Sequence, residues 1–155
     1  MGTPPYACPG YIDQDTISSQ DSRVLTIMMA QCKAWRDYAS QREVYSRQLL
    51  AEMRNELRDI EAKTKKALKD TATSNKAIPA ADVKDEARRT PRYTQLLVCE
   101  QEQEQLQEWY KSEASRFASN FQLLSRAVTI RGQDIEQGNR AGNVGAHGTG
   151  APDYG

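Results

Sequence analysis

Seven basic residues in this 155-residue chain have the spacing of a phosphate-binding row. Wound on a helix that turns roughly 100° per residue, Lys33, Arg36, Arg47, Arg54, Arg58, Lys65 and Lys69 fall within an arc of about 60°. Cations one or two turns apart can follow a phosphate backbone and release the counterions condensed on it. The densest stretch is Lys63-Thr-Lys-Lys-Ala-Leu-Lys69, at the end of the helix beside the loop. Over residues 33–69 ten basic residues stand against six acidic ones, in a chain whose net charge is zero. The case for a polyanion therefore rests on where the charges lie, not on their sum. Two structural readings compete with it. A solvated face would pair its charges along the helix, Glu61 with Lys65 for example, and cations near a helix C-terminus also favour its dipole. Arg88, Arg89 and Arg92 form a second basic knot, and Arg116, Arg126 and Arg131 lie further on; either group can extend a nucleic-acid track.

Other chemistry finds little to build on. There is no GxxxxGK[ST] phosphate loop, no GxSxG and no HExxH. The one histidine, His147, lies in a glycine-rich tail, and Cys8, Cys32 and Cys99 form no CxxC pair. No zinc site, cofactor or catalytic set is expected, and the chain reads as a non-enzyme. Scattered cysteines in odd number fit a reducing compartment. Without an apolar run near 18 residues or a signal-peptide pattern, the expected place is the cytoplasm, with no membrane partner.

The elements that must position the cations are helices. No Gly or Pro interrupts residues 16–70, so a long helix is expected there, capped by Ser18 or Ser19. Its packing face is Met28, Trp35, Leu49, Leu50, Met53, Leu57, Ile60, Ala67 and Leu68. Residues 71–81 read as a loop, and Asp82 can cap a short helix reaching about Arg89. Thr90-Pro91 reads as an N-cap followed by proline at the first helical position. The second long helix then runs to about Gln137, where Gly138 fits a stop. The first fifteen residues, with three prolines and two glycines, read as an irregular arm anchored by Tyr11 and Ile12. Residues 138–155, with six of the nine glycines, read as a disordered tail.

Along the second long helix, Leu106, Tyr110, Ala114, Phe117, Phe121, Leu124, Val128 and Ile135 are spaced 4, 4, 3, 4, 3, 4 and 7. This is a heptad-like seam whose partner is either the first helix or another copy of the chain. At 38% hydrophobic residues, a single copy has little core material to offset the entropy of folding, so burial between subunits is expected. Glu100, Glu104 and Glu108 repeat every four residues. They read as a solvated face, as a contact for a basic partner, or as a contact for the basic stripe of a neighbouring subunit.

At these residues the chain resembles the UvsY family of bacteriophage recombination mediators. Arg58-Asp-Ile-Glu-Ala-Lys-Thr-Lys-Lys-Ala-Leu-Lys69 is similar to that family's segment of Ile-Glu-Ala, lysines, then Ala-Leu-Lys. Trp109-Tyr110, then Leu124-Ser125-Arg126, then Ile130 and Ile135 resemble its C-terminal helix. Tyr11-Ile12-Asp13 and Lys33-Ala-Trp35 are shorter echoes, so the likeness touches most of residues 11–137. After Lys69 the chain departs from the family, reading Asp70-Thr-Ala-Thr-Ser74 where an arginine and aromatics would follow, and the glycine-rich tail is an extension.

The resemblance implies a ring-like homo-oligomer that binds single-stranded DNA, helps displace the single-strand DNA-binding protein and promotes loading of a RecA-like recombinase. Carried over by position, Lys63, Lys65, Lys66 and Lys69 are the first DNA contacts, with Arg54 and Arg58 continuing the stripe; Arg126 and Arg131 join the expected contacts from the distribution of charge alone. Leu106, Tyr110, Phe117, Phe121, Leu124, Val128 and Ile135 are the expected oligomerisation contacts. The expected architecture is all-α: two long amphipathic helices and a short one, assembling by helix–helix packing. It divides into an arm (1–15), a helical DNA-binding and oligomerisation domain (16–137) and a tail (138–155). A helical scaffold or assembly chaperone in phage morphogenesis would share the seam and the tails, and an adaptor would use the acidic face of residues 100–108 to hold a basic protein.

Overall fold

Asp13 opens the first helix. Its carboxylate accepts from the Thr16 amide at 2.7 Å and from the Thr16 hydroxyl, which holds its pKa below the usual carboxylate range. The computed structural model describes residues 5, 8, 10, 12–73 and 76–146, the last five as backbone only. Tyr11, His147 and the remainder of the tail lie outside the described residues. Among the described residues there are four helices and no strand: α1 (Gln14–Ser19), α2 (Ser22–Thr71), α3 (Ala80–Ala87) and α4 (Pro91–Ala146). The all-α expectation holds. Among the described residues no helix is long and apolar enough to cross a membrane.

Several boundaries differ from expectation. Ser18 and Ser19 do not cap α2. They end α1, donating their hydroxyls to the backbone oxygens of Gln14 and Thr16. Asp21 caps α2 instead, its carboxylate accepting from the Val24 amide at 2.9 Å. Asp82 lies within the first turn of α3, which starts behind Pro79 without a side-chain cap. Thr90-Pro91 does start α4. Gly138 does not stop it: helical backbone continues to Ala146. A helix-stopping glycine needs a left-handed backbone, and no described glycine has positive φ. A glycine inside a helix costs about 1 kcal/mol, which does not by itself end one.

The chain gathers into two compact units, and α2 and α4 contribute to both. One unit holds residues up to Tyr38 and from Ala114 onward. Its core is Ile12, Ile17, Leu25, Cys32, Phe117 and Leu124. Trp35 lies against Phe117, ring centroids 5.9 Å apart, and Phe121 and Val128 pack on the same cluster. Burial pushes the Cys32 thiol pKa up. The other unit, Ala39–Glu113, is built on Leu57, Ala87, Tyr93 and Leu96, with Met53, Ile60 and Leu97 against them. Its cross-helix contacts run Glu43 to Gln107, Arg54 to Glu104 and Glu100, and Glu56 to Arg92. Partners on α4 fall in number as those on α2 rise, so these two segments are antiparallel.

The heptad-like seam is therefore spent partly within the chain. Phe117 and Leu124 are fully buried in their own unit, with Phe121 and Val128 beside them. Leu106 and Ile135, at the two ends of the seam, are exposed. Tyr110 and Ala114 are half-buried.

Candidate nucleic-acid interface

The cations of α2 divide into two groups inside the second unit. Arg54 turns toward α4. Its Nε donates to Glu100 at 2.7 Å and its Nη2 to Glu104 at 3.1 Å. The hydrogen bond that Arg54 donates to Glu100, and then the charge of that carboxylate, raise the arginine's already high pKa. Arg47 donates to Glu43 one turn back, which holds that carboxyl below its ordinary value. The acidic repeat of α4 thus answers the basic stripe of the same chain, and Glu108 pairs with Lys111. Arg54 is accordingly removed from the open track expected from the sequence.

Beyond Arg54 the pattern changes. Arg58, Lys63, Lys65, Lys66 and Lys69 have no ion pair or hydrogen-bond partner among the described residues. Four of the five lie on one side of the helix, and Lys63 is about 140° round from Arg58. The Glu61–Lys65 pair expected for a solvated face is not formed. Glu61 is held instead by the buried Tyr93, whose hydroxyl donates to its Oε1 at 2.6 Å. Burial and that carboxylate push the Tyr93 phenol pKa up to about 12. The tie fixes the base of α4 against α2 below the lysine-rich segment.

The segment has a wall. Residues 76–79 and α3 return alongside α2, and between them lies a groove of about 290 Å³. Arg58 and Lys65 line it from α2 and Lys84 from α3. Lys84 also has no ion-pair partner among the described residues. Ala62, Ile78 and Val83 supply the apolar surface, and Glu61 lies among them. Sequence reading missed this second side. The signal was present in Ile78-Pro79, an apolar residue inside a stretch otherwise read as a plain loop. Over residues 58–84 seven basic residues face four acidic ones, a local excess of three.

The other expected cations have different settings. The knot of Arg88, Arg89 and Arg92 is neutralised by Asp85, Glu86 and Glu56. Arg92 pairs with both oxygens of Glu56 and holds that carboxyl below its ordinary value. Arg126, in the first unit, has no ion pair or hydrogen-bond partner among the described residues and lines a shallow groove with Phe121. Arg131, in the same unit, donates to the backbone oxygens of Ile17 at 2.7 Å and of Gln20. These are the open carbonyls at the end of α1, so Arg131 acts as a C-terminal cap. It is not part of an open track. Further back, Arg36 pairs with Asp37, while Lys33 has no ion pair or hydrogen-bond partner among the described residues. Arg116 stacks on the Phe117 ring at 4.4 Å.

Among the described residues no group of His, Cys, Asp and Glu is placed to hold a metal ion. Comparison with known proteins returns no matching family model, no matching curated protein and no matching solved structure.

Proposed function

We propose that the chain is a recombination mediator that binds single-stranded DNA as a homo-oligomer and promotes loading of a RecA-like recombinase in place of single-strand-binding protein, in the cytoplasm of a phage-infected host. One observation carries the reading. Among the described residues Arg58, Lys63, Lys65, Lys66 and Lys69 stay unpaired, while most other arginines of the same unit are matched to carboxylates. Four of the five lie on one side of α2, and like charges gathered there raise the energy of the folded chain unless a polyanion answers them. The resemblance of residues 58–69 to UvsY proteins names that polyanion as single-stranded DNA. Self-association is supported by apolar side chains left at the surface of α4. Val98, Leu106 and Trp109 lie in one unit, and Leu123, Ile130 and Ile135 in the other. A ring presents the cationic segment many times over, so weak contacts per subunit add to tight binding. The protein is a binding and loading factor and needs no catalytic group.

A salt titration of binding to a single-stranded oligonucleotide tests the reading. The logarithm of affinity should fall with the logarithm of salt at a slope of about −0.7 per phosphate neutralised. A flat titration would falsify it. The in-chain pairing of Arg47, Arg54, Arg88, Arg89 and Arg92 favours a second reading, a helical scaffold or assembly chaperone. That protein would bind capsid or tail proteins and give the flat titration.

A further inference from the structure

The groove between α2 and α3 has features that a phosphate track does not need. Cations alone would hold a backbone, yet this groove also has an apolar floor and a carboxylate. We infer that it is a nucleotide pocket, in which one base of the single strand leaves the stack and lies against Ala62, Ile78 and Val83. The inference rests on the reading of the chain as a single-strand binder and deepens it. At about 290 Å³ the groove is near the lower edge of small-ligand sites, roughly 300–1,000 Å³, which suits one nucleotide and not a run of them. The apolar face of a base is covered by the aliphatic floor. Arg58 and Lys65 on one wall and Lys84 on the other are free to take the phosphates on either side.

Glu61 then gives the pocket a preference. Tyr93 occupies its Oε1, which leaves Oε2 as an acceptor at the edge of the groove. A carboxylate accepts from the exocyclic amine of cytosine or adenine. Thymine offers an N–H between two carbonyls, and those repel the carboxylate. The pocket therefore favours an amine-bearing base over thymine.

Equal-length strands of oligo-dC, oligo-dT and a fully abasic sugar-phosphate, titrated against the full chain at one salt concentration, test this. Oligo-dC should bind about fivefold tighter than the abasic strand, the size that covering some tens of Å² of apolar surface supplies. Oligo-dT should fall between them. Ala62→Leu fills the floor without changing charge; it should lower oligo-dC affinity to the abasic level and leave abasic affinity alone. Glu61→Gln should close the gap between oligo-dC and oligo-dT. Circular dichroism melts establish that both variants fold. If the abasic strand binds as tightly as oligo-dC, and Ala62→Leu changes nothing, the pocket is overturned while backbone binding stands. If no strand binds in a salt-dependent way, the mediator reading and the pocket fall together.

Discussion

Arg54 and Arg58 are one turn apart on α2 and have opposite surroundings. Arg54 meets two glutamates of α4, at 2.7 and 3.1 Å, because α4 runs alongside it there. Arg58 lines a groove whose far wall is α3, and that wall offers Lys84. The sequence treats both as members of one stripe, with equal claims on a phosphate. What separates them is the neighbouring helix. A cation facing an acidic repeat becomes part of the fold's own charge pairing, and one facing a second cation stays available to a ligand. The expected DNA track thus falls into a neutralised stretch, Arg47 and Arg54, and an open stretch from Arg58 to Lys69.

The sharpest test reverses charge in the open stretch. Lys65→Glu, Lys66→Glu and Lys69→Glu together should weaken single-strand binding by about a hundredfold near 0.1 M salt. The logarithmic salt slope should shrink by about 2 as three phosphate contacts are lost. Fluorescence anisotropy against salt measures both, and light scattering should find assembly intact. An unchanged slope would leave the open stretch without its DNA role.

A smaller effect is expected where a cation is structural. Arg131→Ala leaves the end of α1 uncapped and should lower unfolding stability by about 2 kcal/mol, read from urea denaturation, with DNA affinity unchanged. Loss of DNA affinity without loss of stability would return Arg131 to the track. Tyr93→Phe removes the hydroxyl that holds Glu61 and should cost about 1 kcal/mol. Its pH signature has a definite sign. The folded phenol titrates above its ordinary value of 10.0, so its contribution is complete below pH 10. It disappears as the pH rises toward about 12, and the phenylalanine variant should lack that alkaline decline.

The smallest effect belongs to the neutralised stretch. Arg54→Ala should change DNA affinity by less than about twofold and stability by less than about 1 kcal/mol, since its pairs are largely exposed. A tenfold loss of DNA binding would erase the distinction between Arg54 and Arg58.

The helices were legible because their signals are local. An uninterrupted run from residue 16 to 70 and the Thr90-Pro91 start need only neighbouring residues to take effect. The apolar face of α2 was legible for the same reason: Leu50 and Leu57 are buried, and Met28, Trp35, Met53 and Ile60 pack on the cores, although Ala67 is exposed. The choice among Ser18, Ser19 and Asp21 was not legible, because all three are good caps and only the folded chain assigns each its partner. The division of the stripe was not legible either. It depends on Glu100 and Glu104, more than forty residues away in sequence. The groove escaped notice because Lys84 and Ile78 acquire meaning only when α3 lies back along α2.

The bracket that Arg131 places on α1 has a consequence for how the chain comes together during synthesis. One core uses residues 39–113 alone, a contiguous stretch that can condense as soon as it leaves the ribosome. The other joins Ile12 and Ile17 to Phe117 and Leu124, across about a hundred residues of sequence, and is locked only by a side chain later still. Closing so long a loop is slow. Ile12 and Ile17 are therefore among the last residues to find their place, and a stall before residue 131 leaves them without their latch.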